Sequence, residues 1–135
     1  MNTDQQAENS MEEDKEAKPE IAVTDHAYMR IKQRMGLNRE AAVRMAEKAF
    51  SEGVSHSETS GRLAKYIAGK SLEYRQPGTR IIIYGEMVYC FCGARITRIG
   101  GRFGILVTVW YIPNNLKKNA LGLQKRKNSN PNRIS

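Results

Sequence analysis

The chain has 135 residues, 22 Lys+Arg against 14 Asp+Glu, and 40% hydrophobic side chains. That length holds one domain with a modest core, and no apolar run approaches the ~20 residues that a membrane helix needs. Cys90 and Cys92 are too few and too close for a disulfide framework, so a reduced, cytoplasmic setting is expected.

Charge divides the chain into three segments. Residues 1–20 carry seven carboxylates and two lysines, with almost no large apolar side chain. That composition predicts a disordered acidic arm, and it is unlike the basic start of a secretory signal. Residues 21–116 hold 14 basic and 7 acidic residues and form the expected single domain. Residues 117–135 hold Lys117, Lys118, Lys125, Arg126, Lys127 and Arg133 with no acid, which reads as a disordered basic tail. The tails are either solvated, or the basic end contacts a polyanion that the acidic arm screens in cis.

The domain reads as helices first. Asp25 as N-cap and Gly36 just past the end predict a helix over 26–35, with Ala27, Tyr28, Ile31 and Met35 as its apolar stripe. Asn38 caps a second helix ending at Gly53, with Ala42, Val43, Met45, Ala46, Ala49 and Phe50 turned inward. A third helical stretch, near 58–68, presents Leu63, Tyr66 and Ile67, before Gly69, Pro77 and Gly78 break the pattern.

From Arg80 the period changes to two. Arg80–Tyr84 and Met87–Cys92 read as a hairpin about Gly85-Glu86, pairing Tyr84 with Met87, Ile82 with Tyr89 and Arg80 with Phe91. One face then carries Ile81, Ile83, Val88, Cys90 and Cys92, and the other Arg80, Ile82, Tyr84, Met87, Tyr89 and Phe91. A second hairpin is expected around Gly100-Gly101. Ile96, Arg98, Phe103, Ile105, Val107 and Val109 share one of its faces, opposite Arg95, Thr97, Arg102, Leu106, Thr108 and Trp110; Pro113 ends the strand. The expected fold class is α+β: two to three N-terminal helices packed on one face of a small antiparallel sheet of about four strands. The aliphatic faces suit a roof of helices, while faces rich in Arg, Tyr, Thr and Trp suit phosphates and unstacked bases. The alternative is that the aromatic face is a second mini-core under the C-terminal segment.

Candidate chemistry is sparse. His26, Arg30 and Arg34, at i, i+4 and i+8, make one polar stripe on the first helix. An imidazole beside two guanidiniums can act as a base next to a phosphate; the plainer reading is a capping histidine and solvated arginines. His56 is a second acid/base candidate or a turn histidine. Cys-x-Cys is not a common zinc spacing and both thiols fall on the aliphatic face, so neither a metal nor any other cofactor is expected.

The run Thr24-Asp25-His26-Ala27-Tyr28-Met29-Arg30-Ile31-Lys32-Gln33-Arg34-Met35-Gly36 resembles the His-Ala-x-x-Arg-x-x-x-Arg-x-Gly opening of small toxin-type domains related to RelE and BrnT (the BECR fold), many of them phage- or mobile-element-borne. The likeness spans roughly residues 23–113. It implies a metal-independent endoribonuclease that uses the substrate's 2′-OH as nucleophile. His26 would then be the base, Arg30, Arg34 and Arg80 would bind phosphate, and Tyr84 or Thr108 would position it. Tyr89 and Trp110 would stack bases, with Arg95, Arg102, Lys117 and Lys118 adding backbone contacts. Arg95–Gly104 departs from the pattern as an extra hairpin. Nucleic acid, RNA in particular, is the expected partner, with an antitoxin or a host protein as a further one and no membrane. A non-catalytic regulator and an inhibitor of a host enzyme are the alternatives.

Overall fold

The computed structural model describes residues 18–74 and 76–129. The elements run β1 (Glu20–Val23), α1 (Asp25–Met35), α2 (Arg39–Glu52), β2 (Val54–Ser55), a 3-10 turn (His56–Glu58), α3 (Gly61–Ser71), β3 (Arg80–Tyr84), β4 (Met87–Ile96), β5 (Arg102–Tyr111) and α4 (Asn114–Asn128). The sheet has five strands in the order β1-β5-β4-β3-β2, with β1 parallel to β5 and the remaining pairs antiparallel.

The chain is α+β, but the expected architecture is corrected in three respects. The sheet is mixed and five-stranded, the helices are interspersed with the strands, and a C-terminal helix is added. Ala27 and Ile31 of α1 and Ala42, Ala46, Ala49 and Phe50 of α2 bury one face with Ile82, Met87, Tyr89, Phe91, Leu106 and Val109. Leu63 and Ile67 of α3 and Leu116 and Ala120 of α4 bury the other with Ile81, Ile83, Val88, Cys90 and Cys92. The N-terminal helix pair therefore covers the face bearing Tyr89 and Phe91, and the aliphatic face belongs to α3 and α4. Neither face is an open floor, and the aromatic face is not roofed by the C-terminal segment.

Local signals explain most boundaries. Thr24, not Asp25, caps α1, its hydroxyl accepting from the Ala27 amide at 3.1 Å. Gly36 closes that helix in the left-handed region (φ 71°), and Asn38 caps α2 through the Ala41 amide at 2.9 Å. The β3–β4 register is the expected one residue for residue, turning on Gly85 at φ 63°. In place of a second, separate hairpin, β4 runs on to Ile96 and pairs with β5. A register shift there sets Phe91 opposite Leu106 but Cys90 opposite Thr108. Val107 is thus an extra residue that reverses the facing of β5 beyond it, and Val109 joins Leu106 on one face.

The tail reading is also corrected. Residues 117–128 lie within α4, and two of its side chains close the C-terminus of α2. Gln124 Nε2 donates to the Glu52 carbonyl at 2.8 Å and Lys127 Nζ to the Gly53 carbonyl at 2.5 Å. A cation on a helix's last carbonyls also meets the negative end of its dipole. Most of the acidic arm lies outside the described residues, although Glu20 opens β1. Among the described residues no helix is long and apolar enough to cross a membrane.

Gly53 is where α2, β2 and β3 converge. A Cβ there would sit 2.3 Å from Ile82 Cγ2, 2.6 Å from the Ala49 carbonyl and 2.8 Å from the Ile83 carbonyl. Gly53→Ala is expected to cost about 1–3 kcal/mol, read as a lower urea midpoint at unchanged slope. Gly69→Ala, in helix α3 with open space around its Cα, is expected to be neutral or to gain up to about 1 kcal/mol.

Candidate nucleic-acid interface

β1 flanks β5 only from Phe103 to Leu106, so β5 from Val107 to Tyr111 has no strand on its outer side among the described residues. Helix α1 runs beside this bare stretch. The Thr24 amide that precedes it donates to the Leu106 carbonyl at 3.1 Å, and at its far end the Tyr111 hydroxyl donates to the Arg34 carbonyl at 2.6 Å. Ala27 and Ile31 point into the core, which leaves the His26–Arg30–Arg34 stripe along the helix flank.

Cations and rings gather at the Tyr111 end of this edge. The Arg34 guanidinium lies 5.6 Å and the Lys117 ammonium 5.9 Å from the centre of the Tyr111 ring, which is 47% exposed. On the opposite side of the strand Tyr74 stacks on Trp110 at 6.3 Å, and Lys70 of α3 sits 5.7 Å from the Trp110 ring. Burial raises the Tyr66 phenol above its ordinary value, and the Trp110 indole and the Arg34 charge partly offset this. Arg34 thus lies over the Tyr111 ring, and its charge also acts on Tyr66. Lys117 is paired with Glu86 at 3.2 Å. Among the described residues Arg30, Arg34 and Lys70 form no ion pair.

The expected site residues separate into two groups. His26, Arg30, Arg34, Trp110 and Lys117 come to the β5 edge; Thr108 is on the same strand but is buried beneath Tyr74. Arg80 belongs elsewhere. Along the row Val23–Leu106–Phe91–Arg80 it lies three strand spacings, about 14 Å, from the residue that leads into α1. Its guanidinium lies 5.1 Å from the Phe50 ring. The Tyr84 hydroxyl donates to Glu52 at 3.3 Å, away from the edge. Arg95 packs over Phe103 at 4.1 Å and Arg102 donates to Ser51 at 3.4 Å, both near the other end of β5. Lys118 is exposed on α4.

Tyr89 cannot stack a base. It is fully buried, its ring lies parallel to Phe91 at 6.3 Å, and its hydroxyl has no hydrogen-bond partner among the described residues. Sequence reasoning also missed three contributors. Tyr66 and Lys70, four residues apart on α3, and Tyr111 on β5 escaped because the register shift at Val107 and the position of α3 are tertiary facts.

Cys90 and Cys92 are free and buried, as their place on the aliphatic face implied. Burial and the neighbouring Cys92 push the Cys90 thiol up to about 12. Among the described residues no group of three or more His, Cys, Asp and Glu is placed to hold a metal ion. No family model, curated protein or solved structure matches the chain.

Two outcomes follow from the buried groups. Tyr89→Phe removes an unpartnered hydroxyl, so stability should hold or rise by about 1 kcal/mol in a urea titration while nucleic-acid binding is unchanged. Because the folded Cys90 pKa lies above the ordinary thiol value of 9.0, the thiol's contribution is complete below pH 9. Stability should fall as pH rises from 9 towards 12, and the native protein should resist thiol reagents at pH 8 until unfolded.

Proposed function

We propose that the protein is a cytoplasmic RNA-binding protein that takes a single strand along the bare edge of β5. The observation that carries this reading is the convergence of Arg34, Lys70 and Lys117 on the rings of Tyr111 and Trp110. Phosphates require mobile cations, and unstacked bases require ring faces next to them. The His26–Arg30–Arg34 stripe extends the cationic side of the track by two helical turns. Tyr111 offers an exposed ring for a base, and Trp110, half-buried against Tyr74, offers a rigid backing.

The position of His26 on the same stripe favours a second step, metal-independent cleavage. In that step the imidazole takes the proton of a ribose 2′-OH and the 2′-oxygen attacks the adjacent phosphorus. The bond to the 5′-oxygen breaks and that oxygen takes up a proton from solvent, leaving a 2′,3′-cyclic phosphate. Arg30 and Arg34 would stabilise the charge that builds on the phosphorane. Arg80, Tyr84 and Tyr89 have no part in this scheme.

Fluorescence anisotropy with a labelled RNA 12-mer tests binding. Arg34→Ala should weaken it about tenfold and flatten the salt slope by about one, and Tyr111→Ala should cost about 1–3 kcal/mol at any sequence. Unchanged affinity in both variants would refute the assignment. Incubation of the same RNA in excess EDTA tests cleavage. Wild-type cutting that His26→Ala abolishes, with binding retained, supports the second step; salt-dependent binding without cutting leaves a non-catalytic binder.

A further inference from the structure

A half-open cavity of about 630 Å³ lies at the opposite side of the sheet, beside the N-terminal half of β3. It exists because β2 is only two residues long. Val54 and Ser55 pair with Ile83 and Ile82, and the chain then turns away into the 3-10 helix, leaving Arg80 and Ile81 without a strand neighbour there. Tyr84 and Met87 flank a two-residue turn and form the first hydrogen-bonded pair of the β3–β4 ladder. By alternation the peptide groups of Ile81 then face away from β4, towards the cavity. The side chains around it include His56, Ser57, Tyr74, Gln76 and Arg80.

Among the described residues no carboxylate lines this cavity. Two acids adjoin lining residues in sequence: Glu58 is drawn off by Lys127 at 3.1 Å and by the Ser55 amide at 3.0 Å, and Glu73, beside Tyr74, is exposed and not among the lining residues. The Glu58–Lys127 pairing also holds the His56 turn against α4. The residues around the space bring an imidazole, a serine hydroxyl, a carboxamide and a main-chain N–H, with Tyr74 as an apolar wall and Arg80, whose guanidinium also lies 5.1 Å from the Phe50 ring, at its rim. The ring of Tyr74 also stacks on Trp110, so the wall is braced from behind.

We infer that this cavity binds a phosphomonoester, with Arg80, His56, Ser57 and the Ile81 amide around the phosphate and the attached sugar or base against Tyr74. N–H and O–H donors around one space, with a guanidinium at its rim and no carboxylate among the described lining residues, suit a phosphate oxygen cluster. The volume lies within the range of small-ligand sites and exceeds what the phosphate alone would fill. Two sources share this chemistry, a free nucleotide and the 5′-phosphorylated end of a strand. The site is separate from the β5 edge and stands or falls independently of RNA binding there.

The test is a titration of the full ¹⁵N-labelled chain with adenosine 5′-monophosphate, with adenosine as the reference. The nucleotide should shift the amide resonances of Ser57, Thr79 and Ile81 saturably and adenosine should not. Arg80→Gln should weaken binding at least tenfold, and Ser57→Asp, which places a carboxylate among the donors, should abolish it. Both residues are exposed, so the fold should survive, as the remaining resonances would report. Competition by a 5′-phosphorylated trinucleotide, but not by its 5′-hydroxyl form, assigns the site to strand ends; absence of competition assigns it to free nucleotides. Amides that do not move, that move equally with adenosine, or that respond unchanged in both variants would overturn the inference.

Discussion

The structure depends on β4 being buried on both faces. Met87 to Cys92 is a run of six consecutive buried residues, and β3 beside it buries Ile81, Ile82 and Ile83 in succession. An antiparallel strand with one wet face alternates apolar and polar side chains; a run without alternation requires cover on both sides. Two helices cannot provide that for a sheet of this width, so α1 and α2 take one face and α3 and α4 the other. A segment that composition alone reads as a basic tail is drawn into order because Leu116 and Ala120 recur at helical spacing and have an apolar face to cover.

Once both faces are occupied, the two helical layers have to be held in register across the sheet, and polar contacts do this at one place. The C-terminus of α2 in the front layer presents its last carbonyls to Gln124 and Lys127 of α4 in the back layer, and Lys127 also reaches Glu58. A single ammonium therefore caps one helix, neutralises the acid of the 3-10 turn and fixes that turn beside the β3 edge. The pair is only about one-quarter exposed, so it is screened less than a surface ion pair and contributes position as well as energy.

Much of this was legible in the sequence. Capping residues and apolar spacing located α1 and α2, and a glycine turn with period-two residues gave the β3–β4 register without error. The facing of those strands was also legible; the misreading lay in what covered each face. Arg80 and Tyr84 flank three isoleucines, and taking them as representative of their face made it look wet, although Ile82, Met87, Tyr89 and Phe91 lie on the same side. The N-terminal strand β1 was hidden within an acidic composition because Ile21 alone carries its burial. The displacement of Val109 was not legible because the extra residue at Val107 arises from pairing, which no local pattern records. Of the candidate site, the α1 stripe, Trp110 and Lys117 could be read from spacing and composition. Tyr66, Lys70 and Tyr111 required the path of α3 and the true facing of β5.

A sheet covered on both sides leaves polar chemistry its edges and its loops, and in this chain both edges are partly bare. On one side β1 stops at Val23, so β5 continues bare and α1, α3 and α4 crowd cations and rings around it. On the other β2 stops at Ser55, so β3 begins bare and a polar cavity opens beside Arg80. The two gaps have the same origin, an edge strand shorter than its neighbour, and each is kept from acting as a general template for strand addition by helices or turns packed against it. Tyr74 reaches from one region to the other across the back of the sheet, stacking on Trp110 while walling the cavity. The excess of basic residues follows the same geometry, because guanidiniums and ammoniums excluded from both faces can reach water only around the rim. On the proposed reading, the rim, and not a face of the sheet, is therefore where a polyanion would bind.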